Sequence, residues 1–315
     1  MSLELSVIIP TYNRPETLRR TLDCLASAAR QGESFEVILV DDGSPEPIRS
    51  AEHPFRITLL HQDRQGPTQA RNLGAQYSQG QVLVFLDDDI CPRPDCLTRL
   101  YQAVLSAEKT ILNGALLLPE EILRNSSFAR AFNEPLPDRD TEIQFPFCKT
   151  GLLAIRRQDF FDLGMFQDPT GGWPNWDDVD FGWRACQAGF RIVLSSTAKA
   201  EHWDYAAQSM KAAAQRLERA GASAVRLFQV HPIQDSLPMF RDMLPSCAQN
   251  SLLIRSRRIL RRIASSRPML KLVEQTTLFL EPRAPLPLLK KLYIWTLGGY
   301  IYRGVQTGLA QYGER

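Results

Sequence analysis

The chain has 315 residues, 44% apolar and 23% charged, with a net charge of +2. That length admits one large domain or two smaller ones with a sizeable core, and the composition is that of a globular protein. Six cysteines show neither a CxxC pair nor zinc spacing with histidine, and no apolar run reaches the ~18 residues of a membrane-spanning helix, so a structural zinc module and a spanning helix are excluded.

The opening residues MSLELSVIIP read as a first strand over 3–9 rather than a secretory leader, so a cytoplasmic location is expected. Thr11 to Pro15 is loop chemistry, and a helix is predicted from Glu16 to Gly32 with Leu18, Leu22 and Leu25 on one face. A second strand, Phe35–Val40, ends in Asp41-Asp42-Gly43-Ser44, and a third covers Ile57–Leu60. Gly66-Pro67 opens a helix through Tyr77. Val82–Leu86 is a buried strand that runs into Asp87-Asp88-Asp89. Strands alternating with helices point to an α/β fold with a mostly parallel, Rossmann-like sheet whose strand-end loops form one crevice.

Residues 110–118 and 151–155 read as later strands, with Pro-rich residues 119–147 between them as a flexible loop over the site. Residues 168–176 form a Gly/Pro/Trp loop, Asp177–Ala188 a helix closed by Gly189, and Phe190–Leu194 a strand leading toward His202. From about residue 205 the character changes: residues 206–230 are Ala-rich and helical, 231–249 a linker, and 250–275 and 286–310 amphipathic. The expected organisation is a domain over 1–204, with a first half to about 110 and a second half beyond it, and a mainly helical basic extension over 205–315.

Charge follows the same division. Residues 205–315 hold 17 Lys+Arg against 6 Asp+Glu, a net of +11, and subtracting this from +2 leaves −9 for residues 1–204. An acidic front suits a metal site, and a basic back suits an anionic surface. Three adjacent carboxylates at a strand end cannot all stay charged and buried without a cation. A hard divalent ion, Mn²⁺ or Mg²⁺, answers that need and usually also holds substrate phosphates. The alternative reading of the triplet is a solvated acidic turn.

Five segments occur in order: SVIIPTYNR (6–14), VILVDDGS (37–44), GPTQARNLG (66–74), VLVFLDDD (82–89) and WDDVDFGWR (176–184). Together they resemble the nucleotide-sugar glycosyltransferases of family 2, which have the GT-A fold, over roughly residues 5–204. The resemblance implies a metal-dependent, inverting transfer of a sugar from a nucleotide-sugar donor, with UDP favoured, to a hydroxyl of a glycan or glycolipid. Asp42 matches the acid that reads the base, with Asp41 beside it as a second base reader or a turn acid. Pro10, Thr11 and Arg14 would line the nucleotide pocket. Arg71 matches an arginine that contacts the diphosphate, or else it braces the acidic loops. Asp87-Asp88-Asp89 resembles the DXD motif: Asp89 would hold the metal, Asp87 the ribose or metal, and Asp88 lies between them. Asp178 is the expected general base and Asp177 its acceptor-binding helper, where the family more often has Glu. The alternative for both is helix capping. Trp173 and Trp176 suit the apolar face of an acceptor sugar or else pack in the core. His202 matches the histidine that completes the metal site in many members.

Two other function classes compete: a non-catalytic nucleotide- or sugar-binding partner, and a Mg²⁺-dependent nucleotidyltransferase. For the basic extension, peripheral docking on the inner face of the cytoplasmic membrane competes with a homodimer interface. No nucleic-acid partner is expected, and polysaccharide or glycolipid synthesis is the pathway class implied.

Overall fold

The computed structural model describes residues 4–30, 34–48, 52–171, 176–204, 208–240, 243 and 261–313. The chain divides into two compact units. The first comprises residues 1–119, 135–167 and 177–203, and the second residues 120–134, 168–176 and 204–315.

The first unit is built on one sheet. Its strands are β1 (Leu5–Thr11), β2 (Glu36–Asp41), β3 (Arg56–His61), β4 (Val82–Leu86), β5 (Ile90–Pro92), β6 (Thr110–Leu117), β7 (Thr141–Glu142), β8 (Leu152–Arg156) and β9 (Arg191–His202). The spatial order is β3-β2-β1-β4-β8-β6-β9-β5, with β7 also paired to β9. The run β3-β2-β1-β4 is parallel. β8 then enters antiparallel to both β4 and β6, and β5 and β7 pair antiparallel with β9.

Helices α1 (Pro15–Arg30) and α3 (Cys96–Ser106) cover one face, where Leu18, Leu22, Leu25, Leu97 and Leu100 pack against Val7, Leu39 and Val84. The other face packs Ile8, Ile38, Leu83 and Phe85 with α2 (Pro67–Tyr77), α6 (Arg157–Asp162) and α7 (Asp177–Gln187), through an aromatic cluster of Phe85, Phe160, Phe166 and Phe181. Strands β1, β2 and β4 are buried along their whole length, which is why they read as continuous apolar runs rather than alternating ones. Pro10 lies inside β1 instead of stopping it.

Residues 119–147 are not one loop. They hold α4 (Glu120–Asn125) and α5 (Ser127–Phe132), both part of the second unit, followed by β7 and a 3₁₀ turn at Phe145–Phe147 in the first. Phe128, Ala129 and Ala131 are buried, and Ser126 caps α5 by accepting the Ala129 amide at 2.9 Å.

In the second unit α8 (Met210–Val230) packs along α10 (Leu286–Tyr312), and α9 (Arg267–Leu280) forms a hairpin with α10. A Cβ on Gly304 of α10 would collide with the Glu218 carbonyl of α8, so glycine is what lets the two backbones meet. Tyr293 is fully buried, stacks edge-on to Phe128, and donates its hydroxyl to Glu281 at 2.9 Å. Tyr300 donates likewise to Glu274 at 2.9 Å. Of the basic stretch expected over 250–275, residues 250–260 lie outside the described residues. Among the described residues no helix is long and apolar enough to cross a membrane.

Candidate active site

Adjacent parallel strands bring the motifs together. β2, β1 and β4 end at Asp41, Thr11 and Leu86, so the Asp41-Asp42 turn, the Thr11–Arg14 loop and the acidic triplet emerge side by side at the carboxyl edge of the sheet. β8 adds Gly151, whose carbonyl accepts the Asp87 amide at 3.0 Å. A Cβ on Gly151 would lie 3.0 Å from Asp87 Oδ2 and Ile90 Cδ1, so a side chain here would press on the triplet.

Each carboxylate of the triplet has a different environment. Asp88 is buried, takes the Thr11 hydroxyl at 2.7 Å and the Arg14 guanidinium at 3.1 Å, and its backbone carbonyl accepts from Thr21 at 2.9 Å. Burial pushes its pKa up to about 6 against the pull of Thr11 and Arg14. Asp89 contacts Arg14 at 3.2 Å and His202 Nε2 at 3.4 Å. Burial alone would raise its pKa, but the His202 bond and the charges of His202 and Arg14 outweigh that and hold it below the usual carboxylate range. Asp87 is the most open of the three, with its side chain 33% exposed. His202 arrives through the antiparallel pairing of β9 with β5, where Ile90 faces His202 and the Trp203 amide donates to the Asp89 carbonyl at 2.8 Å.

The Asp41-Asp42 turn organises its neighbours. Asp41 accepts the Ser44 amide at 3.0 Å and meets His61 Nδ1 at 3.3 Å. Asp42 Oδ1 accepts from Gln62 Nε2 at 2.7 Å and from the amides of Gln65 at 2.8 Å and Gly66 at 3.1 Å. Its Oδ2 accepts the Gly66 amide at 2.9 Å. Gly66 holds φ at +91° ahead of Pro67 and turns its amide onto Asp42. Arg64 stacks over the Tyr12 ring at 4.1 Å and ties this loop to the one after β1.

Arg71 links the triplet to α7. Its guanidinium is buried and donates to Asp87 at 2.6 Å and to Asp177 at 3.1 Å. Asp177 also accepts the Thr68 hydroxyl at 2.9 Å. Burial would lower the Arg71 pKa, but Asp87 and Asp177 overcome it and raise it. Burial pushes Asp177 up to about 6, opposed by Arg71. Asp177 is thus engaged from within, whereas Asp178 keeps a side chain 22% exposed and pairs with Lys149 at 3.2 Å.

Lys149 itself is held by Asn113, a buried amide that donates to the Lys149 carbonyl at 2.6 Å and accepts its amide at 3.1 Å. Sequence reasoning missed Lys149, Asn113, Thr68 and the Gln62–Gly66 cradle. Asn113 did leave a trace, as the polar residue inside the apolar run TILNGALLL. Arg184 braces α7 by binding Asp180 and the carbonyls of Leu163 and Met165.

Of the two tryptophans, Trp173 lies outside the described residues. Trp176 belongs to the second unit, where its indole N–H donates to the Ala220 carbonyl and the Ser223 hydroxyl and its ring meets Phe240 edge-on at 5.7 Å. Carboxylate oxygens and one imidazole are donors that fit Mn²⁺ or Mg²⁺. Among the described residues no three His, Cys, Asp or Glu side chains converge tightly enough to hold a metal alone. Asp89 and His202 meet at 3.4 Å, and Asp87 is the most exposed carboxylate of the triplet.

The chain is 28% identical over 229 residues to validoxylamine A glucosyltransferase of Streptomyces hygroscopicus subsp. limoneus, covering 61% of this chain and 49% of that protein. It is 30% identical over 224 residues to a hyaluronan synthase of Pasteurella multocida, covering 59% of this chain and 23% of the relative. The chain spans about half the length of the first curated relatives it matches. Its fold is like that of a mannosyltransferase from Pyrobaculum calidifontis solved in complex with GDP-Man and Mn²⁺, at a TM-score of 0.58 and 17% identity over 96% of this chain and 87% of the other. The model of Glycosyl transferase family 2 matches residues 6–164, half of the sequence, and the chain belongs to that family.

Proposed function

We propose that this protein is an inverting, metal-dependent glycosyltransferase that moves a sugar from a nucleotide-sugar to an acceptor hydroxyl, with Asp178 as general base. The observation that carries the reading is the division of labour at the start of α7: Asp177 is buried on Arg71 and Thr68, while Asp178 is open and oriented by Lys149. Asp178 takes the acceptor proton as the hydroxyl oxygen attacks the anomeric carbon and the bond to the nucleoside diphosphate breaks. General base catalysis of this kind is worth about 10²–10⁴-fold. Arg14, half exposed beside Asp88 and Asp89, supplies positive charge to the diphosphate. Asp87, Asp89 and His202 would hold Mn²⁺ or Mg²⁺, which neutralises charge on the leaving diphosphate when bound.

UDP is the favoured nucleotide. Asp42 Oδ1 accepts from Gln62 and Gln65, and the Gly66 amide lies nearer Oδ2, so Oδ2 with a single donor keeps one lone pair for the single imide N–H of uracil. A nucleotide-sugar donor with a divalent metal is supported by the neighbour solved with GDP-Man and Mn²⁺, and sugar transfer by the named glucosyltransferase and hyaluronan synthase, while the preference for UDP rests on Asp42 alone. The acceptor class is a glycan or glycolipid hydroxyl.

The test is thermal unfolding of the purified protein against a panel of nucleoside diphosphates and nucleotide-sugars, with and without Mn²⁺. A metal-dependent shift with UDP that disappears in Asp89→Ala is expected. A panel without any metal-dependent shift would refute the donor site.

A further inference from the structure

The α9–α10 hairpin of the second unit is apolar on its outside. Leu272 is 58% exposed, Phe279 64% and Trp295 50%, and Leu278, Leu286, Leu288 and Ile294 are exposed as well. Four of these, Leu278, Phe279, Leu286 and Leu288, crowd the tip where α9 turns into α10. On α10, Leu288, Lys291, Ile294 and Trp295 follow helical spacing and share the solvent side, opposite the buried Leu289, Tyr293 and Thr296. Large aromatic and aliphatic groups gathered this way on a surface mark an interaction site.

Charge decides the partner. Residues 261–291 hold seven basic side chains, Arg261, Arg262, Arg267, Lys271, Arg283, Lys290 and Lys291, and two acids, Glu274 and Glu281. Both acids are turned onto tyrosine hydroxyls of α10. Lys271 and Lys291 stand exposed beside the apolar side chains, and Arg283 stacks on Phe279 at 4.6 Å. Apolar groups flanked by an excess of cations over acids suit the boundary between anionic headgroups and acyl chains. A second copy of the chain would bring like charges together, and a soluble polyanion would leave the apolar side chains unused.

We infer that the α9–α10 hairpin docks in the plane of an anionic lipid surface, seating Phe279, Leu288, Ile294 and Trp295 at the acyl boundary and the lysines and arginines on the headgroups. This inference stands on the second unit alone, independently of the donor site.

Vesicle co-flotation of the full chain tests it, with phosphatidylcholine vesicles with and without phosphatidylglycerol. The wild type is expected to float with the anionic vesicles and to be released by salt. Lys271→Glu/Lys291→Glu should weaken binding at least about tenfold, from two basic residues each contributing at the surface. Phe279→Ser/Trp295→Ser should also lose flotation while keeping the wild-type circular dichroism and unfolding temperature, because both side chains are solvent-facing. Absence of flotation, or flotation indifferent to lipid charge or to both variants, would overturn the inference. So would a concentration-dependent dimer in sedimentation that Phe279→Ser/Trp295→Ser abolishes without any lipid binding.

Discussion

Replacing Arg71 by methionine keeps much of the side-chain volume but removes the one cation shared by Asp87 and Asp177. Removing one partner of a buried ion pair costs about 3–5 kcal/mol. The lower end applies here. Asp87 is one-third exposed and recovers hydration, and the buried Arg71 Nε, which has no hydrogen-bond partner, no longer has to be desolvated. A loss of about 3 kcal/mol corresponds to a fall of roughly 6–12 °C in melting temperature for a unit of this size.

The pH dependence has a definite sign. Asp177 has a folded pKa of about 6, raised by burial, so the native state binds its proton more tightly than the unfolded chain does. Its charged form is a stability cost that appears as pH rises through about 6. Without Arg71 that cost grows, so the variant should be furthest below wild type at pH 7.5. The gap should narrow by roughly 1–2 kcal/mol by pH 5, once the carboxyl is protonated in both proteins. Urea unfolding of both proteins at the two pH values measures this. A variant as stable as wild type at pH 7.5, or a gap that widens at pH 5, would refute the bracing role.

Asp178→Asn should lower turnover by about 10²–10⁴-fold while leaving the UDP-induced thermal shift intact, as measured by product formation and thermal unfolding. Asn113→Leu deletes the clamp on the Lys149 backbone and should cost about 1–3 kcal/mol in urea unfolding, because the Lys149 amide and carbonyl and the Leu152 carbonyl lose a buried partner. Gly151→Ala pushes a methyl against Asp87 and Ile90; calorimetry should show weaker metal-dependent nucleotide binding than in wild type. Chelation of divalent metal should abolish the nucleotide-sugar shift in the wild type and leave the unliganded melting temperature unchanged.

The parallel half of the sheet was legible because β1, β2 and β4 are buried on both faces and therefore spell unbroken apolar runs. β9 was read as ending near Leu194. Ser195, Ser196 and Thr197 look like a loop by composition, yet the strand continues to His202 with buried Ala198 and Ala200 alternating against less buried neighbours. β5 and β7, of three and two residues, carry no periodic signal of their own and exist because β9 offers them an edge. The helices at 120–132 were hidden by the surrounding prolines and arginines, although Phe128 and Phe132 recur at helical spacing. Site residues at strand ends could be picked out one by one. Their partnerships could not, because Arg71 meets Asp177, and Asp42 meets Gln62, only through the register of distant elements.

The three-residue strand β5 also ties the acidic triplet to a distant part of the chain. Asp89 meets Arg14 from the loop after β1, next to β4 in the sheet, but it meets His202 through β9, far later in the chain, paired beside β5. A slip of that pairing by one residue would present Glu201 to Asp89 in place of His202, exchanging an imidazole for a repelling carboxylate. Arg93 engages the same segment in its native register: its side chain holds Glu201 at 3.0 Å and its amide donates to the Lys199 carbonyl at 2.9 Å. The pairing that brings the imidazole to the acidic triplet is thus tied at the surface as well as at the pocket.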